Sequence, residues 1–457
     1  MPWYFSAGPF RAAFAAGLIV ASLPAVNFPV RAAEGILPPA ANLNETAIEL
    51  PREIFHSEAS GGKKPYMATL GDMAFGSPAI LGPAARRAGI SCETCHVEGA
   101  NNAQFYIPGM STRPGTFDTT GPLFNPKADD GVFDVLTIPS LRGARSFAPY
   151  GHNGRTASLR DFVRNVIVVE FGGDEPAPDI LDAIVIYIQD IDLLPNPRLG
   201  LAGQLDPKAS KAERRGEALF HKPFPGNAAM SCATCHNPSA GFADREIHDI
   251  GSGGMFKTPT LLNANFNAPY FHDGRFDSYS QVVGYFNGTF SLKLSAKDQS
   301  DLVAYLEAVG DGEQPFLRAS PALAFAEIDK FASLLDTAIP AKEASVVALA
   351  VDAVDREIRE LTERFPERKN PIVRGGENER AQARAALKEL VLGLRRIETA
   401  ASAGNFDEAK IALDDYRVLQ MAAVPLAKAA APYSLFDPNH QKAYLAALEP
   451  FQQAMQR

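Results

Sequence analysis

Two short motifs, each with two cysteines and a histidine, carry the clearest chemistry in this chain of 457 residues. Two thiols on one helical turn can each bond covalently to a vinyl group of one porphyrin, and a histidine directly after them can then ligate the iron. The spacing C-x-x-C-H therefore predicts two covalently attached haem c groups, with His96 and His236 as iron ligands. The motifs are Cys92-Glu93-Thr94-Cys95-His96 and Cys232-Ala233-Thr234-Cys235-His236, and together they use all four cysteines.

Three other uses of four cysteines remain open at this point. The cysteines could form two disulfides, bind zinc or work as redox-active dithiols. None of these uses requires a histidine directly after the second cysteine, and that histidine is present in both motifs. The pattern favours haem for this reason.

The composition is that of a globular protein with hydrophobic cores. Hydrophobic residues make up 46% of the chain, charged residues 21%, and the formal net charge is −9. The length predicts about three domains. The acidic balance argues against nucleic acid as a partner and is compatible with a basic redox protein.

Residues 1–33 resemble a secretory signal peptide. Arg11 precedes a short apolar run over residues 12–23, and Val30-Arg31-Ala32 offers small side chains before a cleavage point. The run is short for a membrane span, so we expect no span once the leader is removed, with an uncleaved anchor as the alternative. Bacteria attach c-type haem outside the cytoplasm, and we therefore predict a periplasmic protein.

An internal duplication links the two halves of the haem-binding region. The stretch from Ala148 to Arg155, APYGHNGR, returns as APYFHDGR from Ala268 to Arg275, an offset of 120 residues (272 − 152). The duplication predicts two homologous domains. We expect the two loop histidines to bond to backbone or propionate, with iron ligation or proton relay as the alternative. Arg155 and Arg275 are candidates for pairing with haem propionates.

Hydrophobic spacing predicts a mainly α-helical protein. Residues 84–96 are predicted to form one short helix that carries the first haem, and Pro-rich residues 194–207 a linker. Beyond residue 315, Val347, Val351, Val354, Ile358, Leu361 and Phe365 form a helical seam. The predicted order is a signal peptide (1–33), a first haem domain (34–197), a second haem domain (198–314) and an antiparallel helical bundle without metal (315–457).

The second repeat resembles the bacterial dihaem cytochrome c peroxidases and the related dihaem enzyme that matures methylamine dehydrogenase. The resemblance rests on FKTPTL, residues 256–261, leading to APYFHDG, residues 268–274. It covers roughly residues 50–315, is looser in the first half and is absent from the C-terminal helices. It implies two tandem class I cytochrome c-like domains.

The same resemblance implies a function. Family members reduce hydrogen peroxide with electrons from a small periplasmic redox protein, so the first haem would bind peroxide and the second would accept electrons. Glu98 is a candidate for the acid–base group. In a variant of this function, the chain oxidises a partner protein docked on the C-terminal bundle. The alternatives are a non-catalytic dihaem electron-transfer protein for a periplasmic dehydrogenase, and a sensor.

This sequence departs from the family at the sixth iron ligand. Family members usually place methionine or tyrosine fourteen residues after the histidine of the His-Asp-Gly motif, and that position holds Phe286 here, with Val166 at the matching place in the first half. The only tryptophan, Trp3, lies in the leader, so an electron stepping stone of that type is missing from the mature chain. Candidate distal ligands are Tyr285, Met255, His248, Met230 and Met110.

Overall fold

The computed structural model describes residues 37–38, 41–43, 52–59, 64–313, 319–367 and 370–455. The predicted signal peptide lies outside the described residues. Helices dominate the described part, and the strands within it are two or three residues long. The predicted mainly helical class is confirmed. No helix in these ranges combines the length and apolar character needed to cross a bilayer.

The first repeat, residues 64–191, places its haem motif on a very short helix between two longer ones. A small hairpin pairs Thr116 with Thr137 in antiparallel register. A π-helical turn, Val166–Glu170, extends the fifth helix. The elements that precede or form this repeat are α1 (His56–Ala59), α2 (Tyr66–Gly76), α3 (Pro83–Ala88), α4 (Cys92–Cys95), β1 (Thr116–Phe117), β2 (Leu136–Thr137), α5 (Leu159–Asn165) and α6 (Pro178–Asp190).

The second repeat, residues 210–309, has the same order of elements, except that it has no counterpart of α3. Its hairpin pairs His248 with Phe256 in antiparallel register. Capping boxes begin its long helices, because Ser210 and Ser295 each bond to the third residue of the helix that follows. The elements are α7 (Lys211–Phe220), α8 (Cys232–Cys235), β3 (Ile247–Asp249), β4 (Met255–Lys257), α9 (Tyr279–Thr289) and α10 (Ala296–Val309).

The C-terminal residues form a set of helices as predicted. The six residues of the predicted seam are all buried, and Asn405 caps its helix by accepting a hydrogen bond from the Glu408 amide. The two longest helices form a hairpin through a turn at Gly404. The elements are α11 (Pro321–Ala332), α12 (Leu335–Ala338), α13 (Ala344–Glu363), α14 (Glu377–Ser402), α15 (Phe406–Ala430) and α16 (Pro438–Met455).

Each repeat is built around one close helix crossing. Helix α2 crosses α6, and α7 crosses α10. A glycine makes each close approach possible, because a Cβ atom on Gly71 would lie 2.0 Å from the Ala183 carbonyl oxygen, and one on Gly216 would lie 2.1 Å from that of Asp301. Only a residue without a side chain allows the backbones to meet at this distance.

The hydrophobic residues divide into two clusters. The larger cluster begins in α2, continues through α6 and runs on into α13, α14 and α15, so the C-terminal helices share a core with the first repeat. Arg86 of α3 adds ion pairs to Asp352 at 2.7 Å and to Glu398 at 2.8 Å. The smaller cluster lies within the second repeat and includes Phe220 and Tyr305.

The two repeats meet through reciprocal backbone hydrogen bonds. The Thr137 amide donates to the His272 carbonyl at 2.6 Å, and the Lys257 amide donates to the His152 carbonyl at 2.7 Å. Both pairs are related by the offset of 120 residues (257 − 137 and 272 − 152). The junction is therefore self-complementary, as in a two-fold interface.

The predicted single helix over residues 84–96 was wrong. Helix α3 ends at Ala88 because Gly89 adopts a left-handed conformation with φ of 73°. Ser91 then caps the separate helix α4, whose four residues carry both cysteines. The predicted linker packs on the second repeat, since the Asn196 side chain donates to the carbonyls of Ala308 and Val309.

Candidate haem-binding sites

The first motif forms one capped helical turn. The Ser91 amide donates to the Thr94 hydroxyl at 3.0 Å, and the Ser91 hydroxyl accepts from the Thr94 amide, which fixes the start of α4. Cys92 and Cys95 lie at the two ends of this turn and are not joined in a disulfide. His96 follows as the C-cap of the same turn. One capped helical turn therefore positions both thiols and the imidazole.

A backbone carbonyl orients the ring of His96 through Nδ1. Its Nδ1 lies 3.0 Å from the Pro139 carbonyl oxygen, which can only accept, so the proton lies on Nδ1. Burial lowers the pKa of His96 to about 4, which keeps the ring neutral at physiological pH. A neutral imidazole oriented by a backbone carbonyl is the usual arrangement of a metal-binding histidine.

The second motif repeats this arrangement. The Ser231 amide donates to the Thr234 hydroxyl at 2.8 Å at the start of α8. His236 donates from Nδ1 to the Phe242 carbonyl oxygen at 3.1 Å, and burial again lowers its pKa. In both histidines Nδ1 is the nitrogen oriented by a backbone carbonyl, so Nε2 is the candidate ligand atom.

The first cysteine of each motif does not have the character of a reactive thiol. Burial raises the pKa of Cys92 to about 12 and that of Cys232 to about 11. Redox-active C-x-x-C pairs work through a thiol of lowered pKa, so the structure disfavours that alternative. Two thiols on one turn, followed by an oriented imidazole, fit a covalently attached haem at each motif. The residues that would hold it are Cys92, Cys95 and His96, and Cys232, Cys235 and His236.

The two loop histidines lie at the junction between the repeats. His152 donates from Nε2 to the Thr137 carbonyl at 2.7 Å, which confirms the expected bond to backbone for this residue. His272 stacks on Phe256 with ring centroids 3.6 Å apart. Burial lowers the pKa of both rings, that of His152 to about 4.

The two loop arginines pair with carboxylates of the protein. Arg155 contacts Glu170 at 2.6 Å. Arg275 contacts Asp273 at 2.6 Å and donates to the Ser252 carbonyl at 2.9 Å. Their pairing with propionates stays a prediction.

The candidate distal ligands are spread over several elements. The Tyr285 hydroxyl donates to the Ile250 carbonyl at 2.9 Å. His248 bonds through Nε2 to the Asp244 carboxylate at 2.7 Å, and Met255 lies in the paired strand with about half of its surface exposed. Met110 is buried in the larger core and Met230 is half-buried at the end of a turn before α8. Iron ligation by any of them stays a prediction.

Glu98 lies just after the first motif in a left-handed conformation, with φ of 52°. Its carboxylate accepts a hydrogen bond from the Glu53 amide at 3.2 Å and lies 3.8 Å from the Arg52 guanidinium. Arg142 is buried and donates to the Glu98 carbonyl at 2.7 Å. The chain around Glu98 is therefore firmly held, and its acid–base role stays a prediction.

A buried polar network beside the first motif was missed by sequence reasoning. The Tyr187 hydroxyl donates to Glu53 Oε1 at 2.5 Å. Asp72 of α2 contacts Lys64 at 2.6 Å and Lys330 at 3.1 Å. In the sequence, Tyr187 is one of several apolar positions on a helix face and Glu53 has no motif around it, so no local pattern could have identified their contact.

Comparisons with known proteins agree with the two motifs. The family model described as di-haem cytochrome c peroxidase matches residues 210–348. Cytochrome c551 peroxidase of Nitrosomonas europaea is 24% identical over 286 residues, which cover 54% of this chain and 81% of that protein. Hydrazine synthase subunit gamma of Kuenenia stuttgartiensis is 23% identical over 283 residues, covering 48% and 72%. Methylamine utilization protein MauG of Methylorubrum extorquens is 40% identical over 67 residues, covering 14% and 19%.

Proposed function

We propose that this protein, whose residues 210–348 belong to the di-haem cytochrome c peroxidase family, is a periplasmic oxidoreductase that uses two covalently attached haems to reduce hydrogen peroxide to water. One observation carries the proposal. The position that usually holds the sixth ligand in relatives is Phe286 here, Val166 stands at the matching place in the first repeat, and neither side chain has an atom that binds iron. An iron with a vacant position favours chemistry over simple electron transfer.

The chain's own residues position the two centres. Bound haem supplies the redox centre and the coordination position for peroxide. His96 and His236 hold the iron from one side, each oriented by a backbone carbonyl. Reduction of one hydrogen peroxide to two water molecules consumes two electrons and two protons. Following the order in relatives, the site at His96 reacts with peroxide and the site at His236 receives the electrons.

Protons must reach the peroxide site from groups near the first motif. Glu98 is the candidate acid–base residue in this proposal, and burial raises the pKa of its carboxyl above the ordinary value. A raised pKa brings a carboxyl closer to neutral pH, where it can both give and take a proton. Arg155 and Arg275 are proposed to hold propionates when haem is bound.

The net charge of the chain and the exposed apolar side chains of α15 indicate which kinds of partner the protein binds in this proposal. The net charge of −9 favours a small basic redox protein as the electron donor. Helix α15 exposes Ile411, Val418 and Met421, each by more than half of its surface. These residues lie seven and three positions apart, on one side of the helix. This apolar stripe supports the proposal that the C-terminal helices bind a protein partner.

Steady-state turnover with hydrogen peroxide and a reduced small cytochrome tests the proposed function. We expect the mature protein to oxidise the cytochrome only when peroxide is present. A Cys92→Ser/Cys95→Ser variant should not react with peroxide. A Cys232→Ser/Cys235→Ser variant should react with peroxide and yet fail to turn over with the cytochrome. A protein that exchanges electrons with the cytochrome and is inert to peroxide would be an electron carrier, and the proposal would be wrong.

A further inference from the structure

We propose that Tyr187 is a redox-active tyrosine that supplies an electron to the first haem, and that Glu53 takes the phenol proton. The inference rests on the proposed function for its oxidant, which is the first haem after reaction with peroxide. Tyr187 and Glu53 lie 134 positions apart in the chain.

The tyrosine is buried and holds a single short hydrogen bond to a carboxylate. Tyr187 is 1% exposed, and its hydroxyl lies 2.5 Å from Glu53 Oε1. This distance is typical of a hydroxyl that donates to a charged carboxylate. A base within hydrogen-bonding distance is the geometry that proton transfer requires.

Aromatic rings connect the tyrosine to the predicted iron ligand. The centroid of the Tyr187 ring lies 5.1 Å from that of Phe75, and the Phe75 centroid lies 6.3 Å from that of His96. The Tyr187 and Phe75 rings are buried, and the His96 ring is half-buried. An electron can therefore pass between Tyr187 and the haem over a short path through neighbouring rings.

The environment of Glu53 makes it a good proton acceptor. Burial raises its pKa to about 7, and the neighbouring carboxylates of Asp72 and Glu98 act in the same direction. Burial and the Glu53 carboxylate also raise the pKa of Tyr187 well above its ordinary value, so the phenol keeps its proton until an electron leaves.

The second repeat provides an internal comparison. Tyr305 occupies the same place there: its Cβ lies against Gly216 as that of Tyr187 lies against Gly71, and its ring lies 5.1 Å from Phe220. The Tyr305 hydroxyl is buried and has no hydrogen-bond partner among the described residues. Packing at the helix crossing explains a tyrosine in both repeats. It does not explain the carboxylate, which only Tyr187 has.

The step balances in charge and atoms. One electron leaves the Tyr187 ring and reduces the oxidised first haem. The O–H bond of the phenol breaks, the proton moves along the hydrogen bond to Glu53, and a neutral phenoxyl radical and a neutral carboxyl remain. An electron from the redox partner and the return of the same proton restore both groups.

The test is freeze-quench electron paramagnetic resonance of the holoprotein after mixing with peroxide. We expect an organic radical signal in the wild type that narrows when the protein is made with ring-deuterated tyrosine. Tyr187→Phe should lose this signal, and the matched control Tyr305→Phe should keep it. Glu53→Gln should greatly reduce the signal, because an amide can accept the hydrogen bond but not the proton. Optical spectra of each variant check that the haems are bound and the fold is intact.

Three outcomes would overturn the inference. A radical of wild-type size in Tyr187→Phe would place it on another residue, and equal loss in Tyr305→Phe would point to packing rather than chemistry. If the wild-type haem spectrum does not respond to peroxide, the proposed function fails. A photogenerated ruthenium(III) complex then replaces peroxide as the oxidant of the haem protein. The absence of a Tyr187 radical under that oxidant would overturn the inference separately.

Discussion

A histidine that binds a metal through one ring nitrogen needs a partner that fixes the other. His96 and His236 both use a backbone carbonyl for this purpose, that of Pro139 and that of Phe242. Burial keeps both rings neutral. Each site therefore offers an imidazole that is oriented through Nδ1 by a backbone carbonyl, as a proximal iron ligand requires.

Covalent attachment is tested by removing one cysteine pair at a time. The wild type should carry two haems per chain, and either Cys→Ser pair should carry one, because each motif holds its haem independently of the other. Mass spectrometry of the denatured protein measures the covalently bound haem. A wild-type mass equal to that of the bare mature chain would contradict the assignment.

Glu53 should make folding stability depend on pH. Burial, together with Asp72 and Glu98, raises its pKa from 4.5 to about 7, while Lys64 and the Tyr187 hydroxyl act against this shift. Between these pH values the folded state binds more protons than the unfolded state, so this contribution to stability falls as pH rises. We expect the wild type to lose stability relative to Glu53→Gln between about pH 4.5 and about pH 7.

Urea denaturation of both proteins at several pH values across this range gives the difference in the free energy of unfolding. A difference that stays constant with pH would show that Glu53 titrates normally.

Residues that act within one motif could be predicted from the sequence, and residues brought together by folding could not. Cys92, Cys95 and His96 are adjacent in the chain, so their spacing alone indicates their chemistry. Tyr187 and Glu53 are 134 positions apart. Their contact depends on how α6 packs beside the segment before α2, which no local pattern contains.

At the scale of elements, the position of each motif depends on caps and on close helix crossings. Ser91 and Ser231 begin the two cysteine-bearing turns. The sequence suggested one helix over residues 84–96, and the structure divides this stretch into α3 and α4. Gly89 ends the first part, since a glycine with positive φ favours a helix end over continuation.

Gly216 should be intolerant of a side chain. A Cβ atom there would lie 2.1 Å from the Asp301 carbonyl oxygen, so Gly216→Ala must push α7 away from α10. Overpacking of this kind costs about 1–3 kcal/mol of folding stability. Urea denaturation followed by circular dichroism measures this change.

Gly284 is the matched control for that substitution. It lies inside α9, and nothing lies within 4 Å of a Cβ atom built there. Gly284→Ala should be neutral or stabilise the protein by roughly 0.5–1 kcal/mol, because alanine favours helix. Equal destabilisation by both substitutions would contradict the role of the α7–α10 crossing.

At the scale of the whole molecule, the repeats are joined to each other and to the C-terminal helices in different ways. The repeats exchange backbone hydrogen bonds at a self-complementary junction. The first repeat instead shares a continuous hydrophobic core with α13, α14 and α15. The helical seam of the bundle could be predicted from its spacing. The shared core could not be predicted, because it depends on packing between helices that are separated in the sequence by the whole second repeat.

Lys257 connects the two repeats by side chain as well as backbone. Its ammonium donates to the carbonyls of Phe147 at 2.8 Å and Pro149 at 2.5 Å. Lys257→Met should leave both carbonyls without this donor and destabilise the protein by about 1–3 kcal/mol. It should also separate the unfolding of the second repeat from that of the rest.

Thermal unfolding followed by haem absorbance and by circular dichroism measures both effects. Lys208→Met, which removes an exposed lysine two residues before the same repeat, is the control and should change stability by less than about 0.5 kcal/mol. Identical, single transitions in wild type and Lys257→Met would show that the side chain does not hold the junction.

The central claim is that one of the two haem irons has a coordination position open to peroxide. Optical and electron paramagnetic resonance spectra of the oxidised and half-reduced mature protein, before and after peroxide, test it most directly. The proposed function predicts a high-spin ferric signal that disappears on addition of peroxide, and the two cysteine-pair variants should assign it to the site of His96. Two low-spin haems in both redox states, unchanged by peroxide, would contradict the claim and identify an electron carrier.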